Sequence, residues 1–338
     1  MKTGKISESI LKRSVLKQIK PNRDEVIKGA AVGTDCAFVH INDSDIAIAA
    51  GYEAIDDKKA VAHAIHRACN NLAAGGAEVI SVQLHISLPE SYFESDLKEI
   101  MILAEKTAQS LHIQISGGHT ETVSGLLIPV ISVTALGVRK EKMTDAGIRP
   151  GQDIVMTKWI GLGVTAYLAI EKEKELLTKY PAYFVKDAQA LEQYYSIVPE
   201  AATAIKSGVS AMHDISGGGV FGALWELGEH AGVGLTISLK KIPVKQETIE
   251  ICEFYDLNPY ELTSGGALLM ITPDGNRLVE ELEQQEIFAS VIGKTTDNHD
   301  KLIINEEETR YLEPPRADEI DRFLQMYVEK GEKGKDIK

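Results

Sequence analysis

The sequence has few cysteines and no long apolar run. Its three cysteines, Cys36, Cys69 and Cys252, are too far apart for a zinc site of the C-x-x-C type and do not suggest a disulfide framework. No stretch approaches the roughly 20 apolar residues that span a bilayer. The first residues, MKTGKISESILKRSVLKQIKP, lack the apolar core of a signal peptide. We therefore expect a cytoplasmic protein that does not associate with membranes.

Basic residues are scarce relative to acidic ones. The 338 residues include 36 Lys and Arg and 50 Asp and Glu, for a formal net charge of −14 at pH 7. This balance argues against nucleic-acid binding, since neutralising phosphates requires basic surface. It does not exclude small anionic ligands, because backbone N–H groups at a helix start can bind phosphate even in an acidic protein.

The apolar patterns predict two halves that each mix strands and helices. In the first half we predict helices over Ile6–Ile19, Lys58–Leu72 and Asp96–Leu111, and strands over Asp45–Ala50, Val79–Pro89, Ile113–Ser116 and Leu127–Val138. After the Pro-Gly pair of Arg149–Asp153 we predict helices over Val164–Tyr180, Val220–His230, Thr248–Tyr255 and Arg277–Gln285, and strands over Asp153–Lys158, Gly234–Leu239, Ala267–Thr272 and Ser290–Lys294. Length and pattern together indicate two domains of the α+β class.

A glycine pair follows a predicted strand within IQISGGHTETVSG (Ile113–Gly125). Because glycine tolerates positive φ, Gly117 and Gly118 predict a sharp turn. His119 and Glu121 come directly after it. The turn could cradle a phosphate, ligate a metal or form an ordinary hairpin corner.

A second glycine-rich corner, HDISGGG (His213–Gly219), precedes the helix predicted over Val220–His230. Free N–H groups and the helix dipole favour an anion at such a position. Asp214 could hold the loop or a magnesium ion that bridges phosphates. Alternatively, the three glycines only permit close packing at a turn. The spacing matches neither the dinucleotide fingerprint nor the P-loop.

Further polar residues have two interpretations each. Asp35, in VGTDCAFV, is either a turn aspartate or a hard-metal ligand beside a strand. His63 and His66 lie one helical turn apart and either chelate a metal or lie at a helix surface or subunit contact. His85, inside a predicted strand, is interpreted as a core or edge histidine.

Six segments occur in the order known from one protein family: GTDCA, CNNLAAGGA, SGGHTE, MTKWIGLGVTAYLA, HDISGGGVFGALWELGEHAGVG and NPYELTSGGALLM. Their order resembles the superfamily of aminoimidazole ribonucleotide (AIR) synthetase. That superfamily also holds thiamine-monophosphate kinase, selenophosphate synthetase and the HypE-type hydrogenase maturation protein. The likeness is to its HypE-like, AIR synthase-related branch and covers roughly Gly4–Pro315.

The resemblance implies a two-domain α+β fold and a homodimer. Residues 1–148 would form an ATP-binding AIR synthase-like domain whose sheet pairs with that of a second copy into a barrel-like core. Residues 149–315 would form an α/β sandwich domain, and residues 316–338 a charged tail with a disordered end. The implied chemistry is ATP-dependent activation, by phosphorylation or dehydration, of an amide, carbamoyl or phosphate group on an unknown small-molecule or protein acceptor. Mg²⁺ would neutralise the phosphates.

The resemblance also implies roles for individual residues. The residues expected to take part in catalysis are Asp35, His119 and Asp214. The residues expected to bind the metal are Asp35, Asn71 and Glu121. The residues expected to contact the nucleotide are Lys5, Asn71, Gly117, Gly118, Thr120, Gly217, Gly218 and Gly219.

The chain departs from the family's acidic pattern. The family's Asp-Asp-Ala, strand-end aspartate, Asn-Asp and Gly-Gly-Asp-Thr are replaced here by Thr34-Asp35-Cys36-Ala37, Gly51, Asn70-Asn71 and Gly117-Gly118-His119-Thr120. Magnesium prefers anionic oxygen ligands, and histidine suits it poorly. Glu53 and Glu121 are close enough in sequence to compensate.

Two functions therefore remain open. The first is an ATP-dependent enzyme that activates an acceptor. The second is a catalytically degenerate nucleotide sensor or accessory protein in cofactor or hydrogenase maturation. HypE proper ends in a cysteine that accepts a carbamoyl group, and no cysteine follows Cys252 here. We do not expect that reaction on this chain's own C-terminus.

Overall fold

The computed structural model describes residues 4–139, 147–315 and 318–324. In these residues the chain forms two compact units, each built from separate segments. The six-stranded unit comprises the described residues of Pro21–Met143 and Ser196–Ile205. The seven-stranded unit comprises those of Met1–Lys20, Thr144–Tyr195 and Lys206–Lys338. The domain boundary expected after residue 148 stays a prediction, and the predicted disordered end (residues 331–338) lies outside the described residues.

Helices and strands follow one another along most of the described chain. The helices are α1 (Glu8–Ile10), α2 (Ala60–Ala74), α3 (Glu94–Ser110), α4 (Leu162–Glu171), α5 (Glu173–Leu176), α6 (Ala182–Gln189), α7 (Val198–Lys206), α8 (Gly219–Ala231), α9 (Gln246–Tyr255) and α10 (Gly275–Glu283). The strands are β1 (Val26–Lys28), β2 (Ala37–Ile41), β3 (Ser44–Glu53), β4 (Glu78–Leu88), β5 (Gln114–Thr122), β6 (Val130–Arg139), β7 (Asp153–Thr157), β8 (Ala211–Asp214), β9 (Gly234–Ser238), β10 (Leu268–Thr272), β11 (Ala289–Thr296), β12 (Lys301–Asn305) and β13 (Glu308–Tyr311). Among these helices none is both long and apolar enough to cross a membrane.

The first sheet has the strand order β1-β2-β3-β6-β4-β5. Its neighbours are antiparallel except β4 and β5, which run parallel and are joined through α3. Such a pair needs a crossover connection. Helices α2 and α3 cover one face of the sheet. The apolar residues that predicted α2 are all buried there, namely Val61, Ala64, Ile65, Ala68 and Leu72.

The opposite face of this sheet carries exposed side chains. Ile48 lies opposite Leu136, and Tyr52 lies opposite Ser132, so these residues share one face. His85 also lies opposite Ser132 and is therefore on the same side. Ile48, Tyr52 and Leu136 are exposed apolar or aromatic residues. We call the side marked by these residues the open face.

The second sheet has the strand order β13-β12-β9-β11-β7-β10-β8. Its strands are antiparallel except for the parallel pair β9 and β12. One apolar core joins these strands to α8 and includes Ile154, Leu235, Leu269, Val220 and Leu224. A second apolar cluster joins α4, α6 and α9 to Phe323 and includes Leu168, Val185 and Ile251.

Two helix predictions are wrong in detail. The single helix predicted over Val164–Tyr180 is interrupted at Lys172. The backbone of this residue is not helical, so α4 and α5 are separate helices. The helix predicted over Ile6–Ile19 is instead the short α1, a wide π-helical turn and a 3₁₀ turn. No residue of these three N-terminal elements is buried. Tertiary packing, which provides most helix stability, therefore does little to hold a regular helix there.

Candidate functional site

Strand β5 continues through the glycine pair to Thr122 instead of turning there. Gly117 and Gly118 have φ values of 149° and 147°, which side-chain-bearing residues rarely adopt. The predicted sharp turn is therefore wrong. The two glycines allow an unusual extended backbone conformation within β5, the strand at the edge of the sheet.

A β-bulge accompanies these glycines. Val82 of β4 lies opposite Ile115, but the next residue, Gln83, lies opposite Gly117, so Ser116 is an extra residue. A bulge of one residue reverses which side of the sheet the following side chains occupy. Ile115 packs with the helix-covered core. Without the bulge, the alternate residues after Ile115 would also face this core. With the bulge, they lie on the open face.

His119 and Glu121 are the side chains that the bulge moves to the open face. His119 lies opposite His85, and Glu121 lies opposite Ser87. His119 Nε2 lies 3.6 Å from Glu121 Oε2, with 69% and 52% of the two side chains exposed. An exposed pair of this kind contributes little to stability. It does present an imidazole and a carboxylate to solvent.

Thr120 and Gly118 lie on the other side of β5. Thr120 lies opposite the core residue Ile86 and is itself exposed. A Cβ on Gly118 would lie 1.8 Å from the carbonyl oxygen of Leu84, whereas a Cβ on Gly117 would meet no atom within 4 Å. Gly118 is therefore needed for close approach to β4 as well as for its backbone conformation.

Gly51 stands where the family pattern leads one to expect a carboxylate. A Cβ on Gly51 would lie 2.7 Å from both the carbonyl oxygen of Ala64 and the backbone nitrogen of Ala68. Helix α2 thus packs directly on β3 and leaves no room for a side chain. Glu53, a possible replacement, pairs with Arg67 of the same helix at 2.8 Å.

Asn71 lies near the end of α2 and is half-buried. Its Nδ2 donates a hydrogen bond to the carbonyl oxygen of Ala50 at 3.0 Å, which leaves the amide oxygen for a ligand. Strand β3, which Asn71 contacts, is three strand positions from β5, or about 14 Å. Asn71 and Glu121 are therefore not neighbours. The adjacent Asn70 is buried and accepts a hydrogen bond from the backbone N–H of Ile197 at 3.0 Å, a structural role.

Asp35 lies half-buried in the loop before β2. The next residue, Cys36, is buried, and a Cβ on Gly75 would lie only 2.1 Å from its Sγ. The absence of a side chain at Gly75 therefore allows the end of α2 to pack beside the Asp35 loop. Burial raises the pKa of the Cys36 thiol to about 11.

In the seven-stranded unit, Asp214 is the last residue of β8 and is 5% exposed. The glycines that follow differ in their surroundings. Gly217 faces open space, whereas a Cβ on Gly219 would lie 2.4 Å from the carbonyl oxygen of Tyr260. Close packing thus explains Gly219, as the structural alternative predicted. It does not explain Gly217.

The start of α8 already has a negatively charged neighbour. The backbone N–H of Gly218 donates to Asp318 Oδ2 at 2.9 Å, and the Thr263 hydroxyl donates to the same oxygen at 2.6 Å. Asp318 Oδ1 accepts from the backbone N–H of Ile320 at 3.1 Å. Burial raises the pKa of Asp318, against the effect of these hydrogen bonds. At this helix start, where the sequence predicts an anion, the structure places the chain's own carboxylate.

Lys5 pairs with Glu226 of α8 at 2.5 Å. Glu226 Oε2 lies 3.3 Å from Nε2 of the buried His213. Burial would raise the pKa of Glu226, but the hydrogen bond to His213 and the charge of Lys5 lower it overall. The lysine expected to contact phosphate is thus held by a carboxylate of its own unit.

Two residues of interest were missed or misinterpreted from sequence. Asp318 lies about 100 residues from Gly218, so no local pattern connects them. His85 is exposed on the open face, not in the core. The alternation of Gln83, His85 and Ser87 with buried Val82, Leu84 and Ile86 was the signal that could have placed it.

Two family models match this chain. The N-terminal domain of AIR synthase related protein matches residues 19–139, and the C-terminal domain of AIR synthase related protein matches residues 149–305. The chain belongs to the AIR synthase related family. A putative hydrogenase expression/formation protein of Methanocaldococcus jannaschii is 25% identical over 94% of this chain and 96% of its own length. Carbamoyl dehydratase HypE of Rhodobacter capsulatus is 26% identical over 68% of each chain.

Solved structures of this family share the fold. HypE in a HypE–HypF complex superposes with a TM-score of 0.73 at 18% identity, covering 91% of this chain and 100% of that one. AaThiL complexed with AMPPCP and TMP gives 0.69 at 20% identity, covering 90% and 96%. HypE in complex with ATP gives 0.69 at 17% identity, covering 93% and 96%. The expected two-domain α+β AIR synthase-like fold is confirmed, whereas the barrel-like core requires a second copy and stays a prediction.

Proposed function

We propose that this chain binds ATP and uses it to activate an amide, carbamoyl or phosphate group on a small-molecule or protein acceptor. The observation that carries this proposal is the match of both family domains over residues 19–139 and 149–305. The names of relatives add support, since one is a carbamoyl dehydratase and two solved neighbours hold ATP or AMPPCP. Two relatives are named as hydrogenase expression/formation proteins, one of them putative, so we propose that the chain acts in the maturation of a hydrogenase or a similar enzyme.

The residues proposed to act on ATP supply the donors and acceptors that phosphoryl transfer needs. Such reactions depend on positioned N–H groups and on groups that stabilise charge at the phosphates. The edge strand β5 offers backbone N–H groups around Gly117, Gly118 and Thr120. Asp35 and Asp214 are the proposed carboxylates. Gly217, which no packing contact explains, is a further proposed phosphate contact.

Magnesium fits the donors of the six-stranded unit poorly. Gly51 has no room for a carboxylate, and Glu53 pairs with Arg67. His119 offers nitrogen where a hard cation prefers oxygen. We therefore assign no catalytic step to magnesium bound by these residues.

Calorimetric titration of ATP into the full chain, with magnesium and then with EDTA, tests the proposal. With magnesium present we expect micromolar binding that Asp35→Ala and Asp214→Asn weaken about tenfold or more, or more than about 1.4 kcal/mol, because a carboxylate contacts the anionic phosphates favourably only through a bridging cation. Asp43→Ala, at an exposed turn between β2 and β3, is the matched control. Unchanged affinity in both site variants would overturn the assignment of these residues.

A second candidate function is a nucleotide sensor or accessory protein without turnover. The packing of α2 against Gly51 favours it, because the family's carboxylate cannot be accommodated at that position. This candidate predicts ATP binding without phosphate release. Sustained ATP hydrolysis that disappears in Asp35→Ala would exclude it.

We also propose that the chain forms a homodimer through the part of the open face that β3 and β6 form, which leaves the open side of β4 and β5 uncovered. Ile48, Tyr52 and Leu136 expose apolar surface there, and such patches mark interaction sites. Ile48→Lys and Leu136→Lys should lower the mass measured by light scattering from two chains to one. Ile102→Lys, an exposed isoleucine of α3, is the control. A wild-type protein with the mass of one chain would contradict the proposal.

A further inference from the structure

We propose that His85, His119 and Glu121 form a nitrogen-rich site for a borderline divalent cation of the zinc or cobalt type. The three residues lie side by side on the open face of the six-stranded sheet. This inference rests on that unit alone and does not require the proposed ATP-dependent function. It assigns a metal class that differs from the magnesium expected from the family.

The first support is the register of the two strands. His85 and His119 are directly opposite each other on the parallel strands β4 and β5, where strands lie about 4.8 Å apart. Two imidazoles so placed can bind one metal ion between them, each through a ring nitrogen.

The second support is the third ligand. Glu121 Oε2 lies 3.6 Å from His119 Nε2, so one carboxylate oxygen already lies beside one imidazole nitrogen. Two histidines and one carboxylate, with water at the remaining positions, form a common zinc ligand set. The ligand atoms of all three residues do not all lie within 4.8 Å of one another, so binding requires a rotamer change in His85 or in the pair His119 and Glu121.

The third support is that these side chains are available. His119 and Glu121 are 69% and 52% exposed, and His85 is exposed too. Among the described residues none donates a hydrogen bond to His85 or accepts one from it. Its rotation therefore breaks no hydrogen bond with another described residue.

The fourth support is the backbone that places the pair. The bulge at Ser116 brings His119 and Glu121 to the side of His85. The positive φ values of Gly117 and Gly118 accompany the bulge. Bulges are over-represented next to active sites, where they redirect side chains. Without the bulge, the imidazole and the carboxylate would lie on the helix-covered face, away from His85.

Other histidines serve as internal comparisons. His40 Nδ1 lies 2.7 Å from Asp45 Oδ1, which gives one imidazole and one carboxylate but no second histidine opposite them. Asp45 is also engaged by Arg139. His63 and His66 on α2 are the other possible chelating pair. The proposal requires that the metal affinity come neither from His40 with Asp45 nor from His63 with His66.

The test is a titration of Zn²⁺ alone into metal-free full-length protein, with a chromophoric chelator as competitor and no nucleotide. We expect one strongly bound Zn²⁺ per chain, which excess Mg²⁺ does not displace. His85→Ala, His119→Ala and Glu121→Gln should each weaken binding about tenfold or more, since even partners outside the ligand set are worth that much. His40→Ala and His63→Ala should leave it unchanged.

Cobalt gives a second readout, because bound Co²⁺ absorbs visible light according to its ligands. The His119→Ala variant should change or lose this spectrum, whereas His40→Ala should keep it. The proposal is overturned if wild-type protein binds no stoichiometric Zn²⁺, or if His85→Ala binds as tightly as wild type. It is also overturned if His40→Ala or His63→Ala abolishes binding. Absent ATP binding with intact zinc binding would count against the proposed function alone.

Discussion

The carboxylate of Asp318 accepts a hydrogen bond from the backbone N–H of Gly218 at 2.9 Å, at the residue that precedes α8. The helix dipole is positive at this end, so a negative charge there is favourable. The cost is burial, which raises the pKa of Asp318. The contact ties a segment near the end of the described chain to the glycine-rich start of α8.

Asp318→Ala should destabilise the protein by about 1–3 kcal/mol, because it leaves buried donors, including Gly218 N–H, without their acceptor. Urea unfolding at pH 7 measures this change. Asp297→Ala, an exposed aspartate, should change stability by less than about 0.5 kcal/mol. Equal stability of the Asp318 variant and wild type would show that the contact contributes nothing.

The same variant has a defined pH dependence. Because the folded-state pKa of Asp318 is raised, the native protein binds this proton more tightly than the unfolded chain does. The side chain's contribution to stability is thus larger below its raised pKa and falls as the pH rises through it. The stability difference between wild type and Asp318→Ala should therefore grow as the pH falls from 7 toward the ordinary aspartate pKa of about 3.9, and a difference that shrinks would contradict the raised pKa.

Gly51→Asp, which restores the family's acidic residue, should fail to restore a metal ligand. Its Cβ would lie 2.7 Å from backbone atoms of Ala64 and Ala68, so α2 must move. We expect a loss of about 3 kcal/mol or more from overpacking and a buried charge. Thermal unfolding measures it, with Asn42→Asp, at the exposed turn between β2 and β3, as a control that adds the same charge. A Gly51→Asp protein as stable as the control would disprove this account.

The two glycines of β5 should respond differently to alanine. Both have positive φ, so each substitution should cost about 1–3 kcal/mol in backbone strain. Gly118→Ala also places a Cβ 1.8 Å from the Leu84 carbonyl oxygen, whereas Gly117→Ala meets no atom within 4 Å. Urea unfolding should therefore rank Gly118→Ala as the less stable variant. The reverse order would contradict the described packing of β5 on β4.

The three cysteines should resist thiol reagents in the folded protein. Burial raises the pKa of Cys36 to about 11 and the pKa values of Cys69 and Cys252 to about 12. The reactive thiolate is therefore scarce at pH 8. A chromogenic disulfide reagent should label three thiols per chain in denaturant and almost none without it. Rapid labelling of the native protein would show that a cysteine is accessible.

The sequence alone determined the class of fold and most of its elements. The apolar spacing of α2 predicted both the helix and its buried residues, such as Ile65 and Leu72, because periodicity records which side of an element faces the core. The strands β7, β9 and β10 were predicted for the same reason. The six collinear segments also identified the family, which the matches over residues 19–139 and 149–305 confirm.

Only the tertiary structure decided how the candidate site is arranged. Whether His119 lies beside His85 depends on one extra residue in β5, and a single-residue bulge leaves the sequence pattern almost unchanged. The packing of α2 on Gly51 and the contact of Asp318 with Gly218 join residues distant in the chain. Local patterns carry no information about such pairs, because they form only when separate elements pack together.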